Sequence, residues 1–304
     1  MNVLQDPRQA TAFRFVRCGY ADGVAKLVYA FDDGPELIER IRFPDAPALP
    51  ESRKPAFDAA LHLLHFIAGI SYYKAGVPDR IEIETGALDE AGAELLDALY
   101  LHGLAEFAYR NKLDLRGRIA FPRRSQPGSE ILPPSSRPGN GRDPEPGTAK
   151  SPRRVLVPVG GGKDSLVVVE ALKRIGVNAT ATWVGASPLI AAVAERTDLP
   201  TLNIGRELSS VLFDYNRMGA WNGHIPVTAI NSAILACAAI LYGFDAIAFA
   251  NERSASAATL EYEGQPVNHQ WSKGWVFERM FAAYLRAHVA ADLDFFSLLR
   301  PFSE

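Results

Sequence analysis

Apolar and polar positions change rhythm along the chain. Near the start, two short apolar runs at 13–18 and 25–31 flank Gly19 and the pair Asp22 and Gly23, the spacing of a hairpin or meander. Over 55–73 the period lengthens, and Phe57, Leu61, Leu64, His65 and Ala68 fall on one side of a helix. A strand at 80–84 and a helix over about 90–109 follow. Asp89 is suited to cap the second helix, its carboxylate accepting the free backbone N–H groups. Residues 1–124 therefore read as a small α+β domain. Within it, the aromatic pair Tyr72 and Tyr73 beside Lys74 could hold a sugar or phosphate, but reads first as a packed helix end with a solvated lysine.

The second rhythm alternates apolar strands with helices. RVLVPV at 154–159 leads through GGGKDS into a helix over 164–175, stopped by Gly176. A strand at 178–184 precedes a helix opened by Ser187 and Pro188, a cap and first-turn pair. A strand at 201–204, a helix over about 207–215, a long helix over 226–242 closed by Gly243, and a strand at 245–250 continue the pattern. Strands apolar throughout, alternating with helices, predict a parallel sheet covered on both faces. Ligands of such sheets sit beyond the carboxyl ends of the strands, where Gly160, Ala186 and Asn251 all fall. Between the halves, 125–153 is crowded with Pro, Gly, Ser and charge, and is predicted to be a flexible linker or exposed loop. Three parts result: 1–124, the linker 125–153, and 154–304.

Charge removes some classes of function. With 32 basic and 35 acidic residues and a net charge of -3, there is no global field and no basic stripe to draw nucleic acid or an anionic membrane. The two cysteines, Cys18 and Cys237, read as buried thiols of a reducing compartment and build neither a zinc site nor a redox pair. The start of the chain has no apolar signal core, and no apolar run reaches the ~18 residues of a membrane helix. A cytoplasmic protein is expected; the pattern sets no oligomeric state.

Gly160, Gly161 and Gly162 directly after a buried strand let the backbone turn sharply and approach a ligand. Asp164 and Ser165 then begin a helix whose unpaired N–H groups face the loop and favour an anion by roughly 0.3–1 kcal/mol. With the Lys163 ammonium and the Ser165 hydroxyl, the expected ligand is a phosphate chain. A Walker A loop needs Ser or Thr directly after its Lys, and Asp164 stands there. A dinucleotide fingerprint needs a final Gly, and Ser165 takes its place. The loop resembles instead the S-G-G-x-D-S loop of the PP-loop ATP pyrophosphatases, with Gly160 in place of the first Ser. That resemblance implies cleavage of ATP to AMP and diphosphate, AMP being attached to a substrate oxygen.

Further blocks narrow the resemblance. Gly223-His224-Ile225-Pro226-Val227-Thr228 leads to Asn231 and Ser232, and Ala250-Asn251-Glu252-Arg253-Ser254-Ala255 precedes Val267-Asn268-His269-Gln270-Trp271-Ser272-Lys273 and Phe277-Glu278. With GGGKDS these look like the ATP-dependent UDP-N-acetylmuramoyl-L-alanyl-L-glutamate epimerases of bacterial cell-wall synthesis. The likeness spans about 154–304; before it, SYYKAG and Glu106-Phe107-Ala108-Tyr109-Arg110-Asn111 with Leu113-Asp114 carry a fainter one. It implies a Rossmann-like (adenine nucleotide alpha hydrolase-like) sheet domain after the smaller α+β domain, ATP and Mg²⁺ as cofactors, and a small-molecule UDP-sugar dipeptide as substrate. Family members run on past the match to Asp294–Pro301 into a segment carrying cysteines, whereas this sequence stops at Glu304.

The roles implied are these. Lys163 and Ser165 contact phosphate, while Asn251, Glu252 and Arg253 at a strand end position Mg²⁺, the carboxylate and the α-phosphate. His269 and Lys273 move the proton or stabilise charge. Each also fits a capped, salt-bridged loop, and His224 before a helix fits a simple cap. Trp183, Trp221, Trp271 and Trp275 read as core or rim. Two other readings stay open: a PP-loop nucleobase or tRNA modifier such as a 7-cyano-7-deazaguanine synthase, and an ATP- or AMP-binding module without turnover.

Overall fold

A computed structural model describes residues 4–123, 153–258, 260–262 and 264–303. All but the last residue of the expected linker at 125–153 lies outside them. The meander is present as β1 (Ala12–Ala21), β2 (Val24–Phe31) and β3 (Leu37–Arg42), paired antiparallel in that order. Asp22 and Gly23 both take positive φ, 51° and 75°, the backbone that matches a two-residue turn to the twist of its strands. The helix expected over 55–73 divides into α1 (Lys54–Ala68) and α2 (Ile70–Tyr73). After them β4 (Arg80–Ile83) lies parallel to β1. The helix expected over 90–109 is likewise two, α3 (Glu90–Gly103) and α4 (Ala105–Asn111), broken at Leu104. Asp89 caps α3 as expected, accepting the Gly92 N–H at 2.7 Å.

The second rhythm gives β5 (Arg154–Pro158), α5 (Lys163–Arg174), β6 (Asn178–Val184), α6 (Pro188–Glu195), β7 (Thr201–Glu207) and α7 (Ser210–Arg217). The long helix α8 (Val227–Tyr242) leads to β8 (Ala246–Phe249). A hairpin of β9 (Leu260–Tyr262) and β10 (Gln265–Val267), then α9 (Trp275–Tyr284) and β11 (Asp294–Ser297), complete the described chain. Strands β11, β8, β5, β6 and β7 are parallel neighbours in that order.

One sheet of nine strands, ordered β11-β8-β5-β6-β7-β3-β2-β1-β4, runs through both halves of the sequence. The joint is antiparallel pairing of β3 with β7, Ile41 opposite Arg206. Beside it the fully buried Glu39 accepts the Arg206 Nε–H at 2.7 Å, and Arg206 Nη2 donates to Ser71 Oγ at 2.8 Å. Helix α8 packs on α1 and is buried from Ala229 to Leu241 apart from Asn231, which explains its lack of any charged residue. Among the described residues no helix is long and apolar enough to cross a membrane.

His65 sits in this core. Its Nε2 lies 3.0 Å from the Val28 carbonyl, so the proton belongs on Nε2, while Nδ1 is buried without a partner among the described residues. Burial pulls the ring down from 6.5 to about 4, against the carbonyl contact, which favours the charged form. Between those values the unfolded chain binds a proton that the folded chain refuses. Stability present above the unfolded value is therefore lost as pH falls through the folded one, by on the order of 3 kcal/mol. Urea midpoints at about pH 7 and about pH 4.5 should differ by less in His65→Gln than in the parent; an unchanged difference would contradict this.

The aromatic pair after α1 is core rather than binding platform. Tyr72 and Tyr73 are fully buried, the Tyr72 hydroxyl accepting the Ser209 N–H at 3.1 Å and the Tyr73 hydroxyl donating to the Pro78 carbonyl at 3.2 Å. Lys74 departs from the solvated end expected of it. It is buried, its Nζ donates to Asn222 Oδ1 at 2.6 Å, and desolvation lowers it to about 8. Cys237 is buried and Cys18 half-buried, the latter thiol pushed up to about 12 by burial and so protonated at neutral pH.

Candidate active site

Strand β5 ends at Pro158, and the chain turns through Val159 and the three glycines into α5. Gly161 has φ 81°, where a side chain costs ~1–2 kcal/mol. Gly160 and Gly162 face open space, with no atom within 4 Å of where a Cβ would stand. Gly162 caps α5 without a side chain, so no cap hydroxyl or carboxylate covers the first-turn N–H groups. The Ser165 hydroxyl donates back to the Gly162 carbonyl at 3.0 Å and braces the turn.

A cleft of about 300 Å³ opens on this turn. Its walls are Gly160, Gly162, Asp164 and Ser165 from the loop and α5, Thr182 to Val184 of β6, Ile190 of α6, and Thr228 and Asn231 of α8. Asn251 after β8 and Lys273 close the far side. The cleft lies where the strand order reverses, with β6 on one side of β5 and β8 on the other. Crevices at that switch point, beyond the carboxyl ends of parallel strands, are where such sheets take ligands.

The residues expected at the site divide into two groups. Gly160, Gly162, Asp164, Ser165, Asn251 and Lys273 line the cleft, with Gly161 inside the turn and Lys163 opening α5. Glu252, Arg253 and His269 are not among its walls. Glu252 accepts the Ser254 hydroxyl at 3.1 Å, and its carbonyl accepts from Arg300 at 2.7 Å. Arg253 is exposed, its N–H on the Phe302 carbonyl at 2.9 Å and its guanidinium on Ser303 at 3.3 Å. His269 is exposed on the loop before α9 and meets His224 edge-on, ring centroids 6.1 Å apart. His224 does not cap the long helix, whose cap position is Pro226 without a side-chain bond; its Nδ1 stands 4.0 Å from Glu106 Oε2 on α4.

Residues 4–298 match the MurL N-terminal domain. The chain belongs to that family. It is 53% identical over 302 residues to a UDP-N-acetyl-alpha-D-muramoyl-L-alanyl-L-glutamate epimerase of Xanthomonas oryzae pv. oryzae (strain MAFF 311018), an alignment covering 98% of this chain and 64% of the relative. A protein of the same name from Salinispora tropica is 39% identical over 303 residues, 98% of this chain and 63% of the relative. The chain thus spans a little under two thirds of the length of the relatives it matches.

Sequence reasoning passed over two parts of this MurL-family site. The first lies behind Asn251. Glu278, 4% exposed, accepts the Ser297 N–H at 3.0 Å and the Ser297 hydroxyl at 2.5 Å, and pairs with Arg300. Ser297 Oγ in turn accepts from Asn251 Nδ2 at 3.0 Å, and Arg300 donates to the carbonyls of Glu252 at 2.7 Å and Lys273 at 2.8 Å. One buried ion pair thereby holds both edges of the far wall. Its sequence signal is a carboxylate on the apolar face of a helix, Glu278 between Phe277 and Phe281, which demands a cation. The second is Trp183, expected in core or rim: it lines the cleft, and its buried indole Nε1–H has no acceptor among the described residues.

Proposed function

We propose that the chain carries the ATP-binding and adenylating part of an epimerase. The reaction converts the terminal L-Glu of UDP-N-acetylmuramoyl-L-Ala-L-Glu to D-Glu through an acyl-adenylate, releasing AMP and diphosphate for peptidoglycan precursor synthesis. The observation that carries this is the uncapped start of α5 behind a glycine turn, opening on a cleft at the switch point of the parallel sheet. Family membership and the names of the relatives support the substrate. We read the strand order as a Rossmann-like, adenine nucleotide alpha hydrolase-like arrangement, and the place of action as the cytoplasm.

The cleft suits a nucleotide in three respects. Open space beside Gly160 and Gly162 leaves the backbone accessible to phosphate oxygens. Lys163 and the α5 N–H groups supply positive charge, and the Ser165 hydroxyl can exchange its bond to Gly162 for one to phosphate. The Trp183 Nε1–H is a donor without an acceptor among the described residues. Among the described residues no cluster of three or more His, Cys, Asp or Glu side chains is arranged for a metal. Mg²⁺ bound with nucleotide phosphates needs only one or two carboxylates, and Asp164 in the cleft is placed to be one. When bound, that ion neutralises charge developing on the diphosphate.

In the adenylation, an oxygen of the glutamyl α-carboxylate attacks the α-phosphorus and the bond to the bridging oxygen breaks, releasing diphosphate. Lys163 and the α5 N–H groups hold that leaving group, while Asn251 aligns the α-phosphate. The anhydride carbonyl then accepts the electron pair of the Cα–H bond when a base removes the proton, with Lys273 as the nearby ammonium. Reprotonation on the other face gives the D-glutamyl centre, and water cleaves the anhydride to AMP. An ionised carboxylate would accept that electron pair far less readily, which is why activation comes first.

Full-length protein with Mg-ATP and the UDP-sugar dipeptide should form AMP only when the dipeptide is present, together with D-Glu after acid hydrolysis. Lys163→Ala should cut this AMP formation by ~10²-fold or more. Absence of dipeptide-dependent AMP would sink the reading. AMP formed instead with a deazaguanine acid and ammonia would redirect it to nucleobase modification.

A further inference from the structure

The side-chain amide of Asn251 has a polarity that its own surroundings fix. Asn251 lies just past the end of β8, and Ser297, the last residue of β11, stands opposite Phe249 in the parallel register. The Asn251 Nδ2 therefore reaches Ser297 Oγ at 3.0 Å, while Asn251 itself lines the cleft. Ser297 and Glu278 stand behind it, 6% and 4% exposed, and neither is among the cleft walls.

Counting protons along this chain of bonds settles which end of the amide faces which way. Glu278 is the carboxylate of an ion pair with Arg300, so it only accepts. It takes the Ser297 N–H at 3.0 Å and the single Ser297 hydroxyl proton at 2.5 Å. With that proton spent, Ser297 Oγ can meet Asn251 only as an acceptor, which requires the NH₂ end of the amide. The reverse orientation would set two oxygens together with no proton between them. Oδ1 therefore stays on the cleft side, where it has no donor among the described residues. The next peptide is fixed as well, Arg300 donating to the Glu252 carbonyl at 2.7 Å.

We infer that Asn251 is a specificity-determining residue whose Oδ1 accepts from a hydrogen-bond donor adjoining the reacting α-phosphorus, and that Ser297 and Glu278 are the positioning residues that set this polarity. This rests on the function proposed above, in which Asn251 aligns the α-phosphate. One Nδ2 hydrogen is spent on Ser297 and the other remains for that phosphate. An acceptor on the same amide can then reach only a group next to the phosphate. Two donors of the reactants stand there: the glutamyl amide N–H, one carbon from the attacking carboxylate, and the ribose 3′-hydroxyl. The adenine amino group is separated from the phosphate by the whole ribose and does not qualify. A reactant lacking the donor leaves Oδ1 facing it unpaired, which is how such a site rejects it.

The test measures kcat/KM for AMP formation by the full-length protein with two altered reactants. One is the dipeptide substrate with an ester oxygen in place of the glutamyl N–H; the other is 3′-deoxy-ATP. In the parent, the reactant whose donor Asn251 reads should lose ~10–10²-fold against its natural counterpart, and the other should not. In Asn251→Ala that preference should shrink to within about threefold, however far overall activity falls. Ser297→Ala, with its fold checked by thermal melt, should weaken the same preference, because the amide is then free to turn. A loss of stability alone would slow natural and altered reactants equally and leave the ratio unmoved. A parent that uses both altered reactants as well as the natural ones would overturn the inference, as would an unchanged preference in Asn251→Ala. Full preference in a folded Ser297→Ala would overturn the positioning role. A parent that forms no dipeptide-dependent AMP removes the proposed function itself, and this inference with it.

Discussion

Arg206→Leu should lower the free energy of unfolding by about 3–5 kcal/mol, the largest single-site loss of stability expected in the fold. The reason lies at the seam between β3 and β7. Glu39 is fully buried, one of its oxygens accepts from Arg206 and the other, Oε2, has no hydrogen-bond partner among the described residues. Removing the guanidinium strands a carboxylate in the core and also breaks the bond to Ser71. The double replacement Glu39→Leu with Arg206→Leu should recover most of the loss, because a buried pair exchanged for apolar side chains of similar volume is near neutral. Urea midpoints of the parent, both single variants and the double variant complete the cycle. A double variant no more stable than Arg206→Leu would refute the account.

Arg300→Lys should reduce dipeptide-dependent AMP formation by ~10²-fold while costing far less stability than deletion of the charge. Lysine keeps the cation beside Glu278, yet cannot reach the carbonyls of Glu252 and Lys273 together as the guanidinium does. Asn251 and Lys273 then lose their common anchor, since Ser297, which holds Asn251, is itself held by Glu278. A displacement of ~1 Å at positioning groups is enough for an effect of that size. Steady-state AMP formation read beside a thermal melt decides the matter. Full activity in a well-folded Arg300→Lys would show that this pair supports the fold alone.

Local rules carried the sequence reading wherever neighbouring residues decide the outcome. The Asp22 and Gly23 turn, the Asp89 cap, the apolar strands and the glycine turn into α5 follow from backbone preference and periodicity. The structure contains each of them. The breaks at Gly69 and Leu104 were hidden because both helices keep an apolar face across them. At Gly69 a side chain would meet the Phe15 ring at 2.4 Å, a neighbour brought there from a distant strand. Lys74 misled for a similar reason. A lysine next to a helix end is ordinarily solvated, and a bond to Asn222, 148 positions away, makes its burial tolerable.

By itself, then, the sequence determined the elements, the glycine turn at Gly160–Ser165 and the end of the parallel strands at which it lies, because these depend on short-range sterics and hydrogen-bonding geometry. Tertiary structure alone decided that both halves share one sheet, since pairing of β3 with β7 depends on surfaces about 165 residues apart. It alone decided that Glu278 and Arg300 brace the cleft wall and that His224 stands near Glu106 and His269. Burial and approach at long range set what a charged or titratable side chain faces, and no local pattern encodes that.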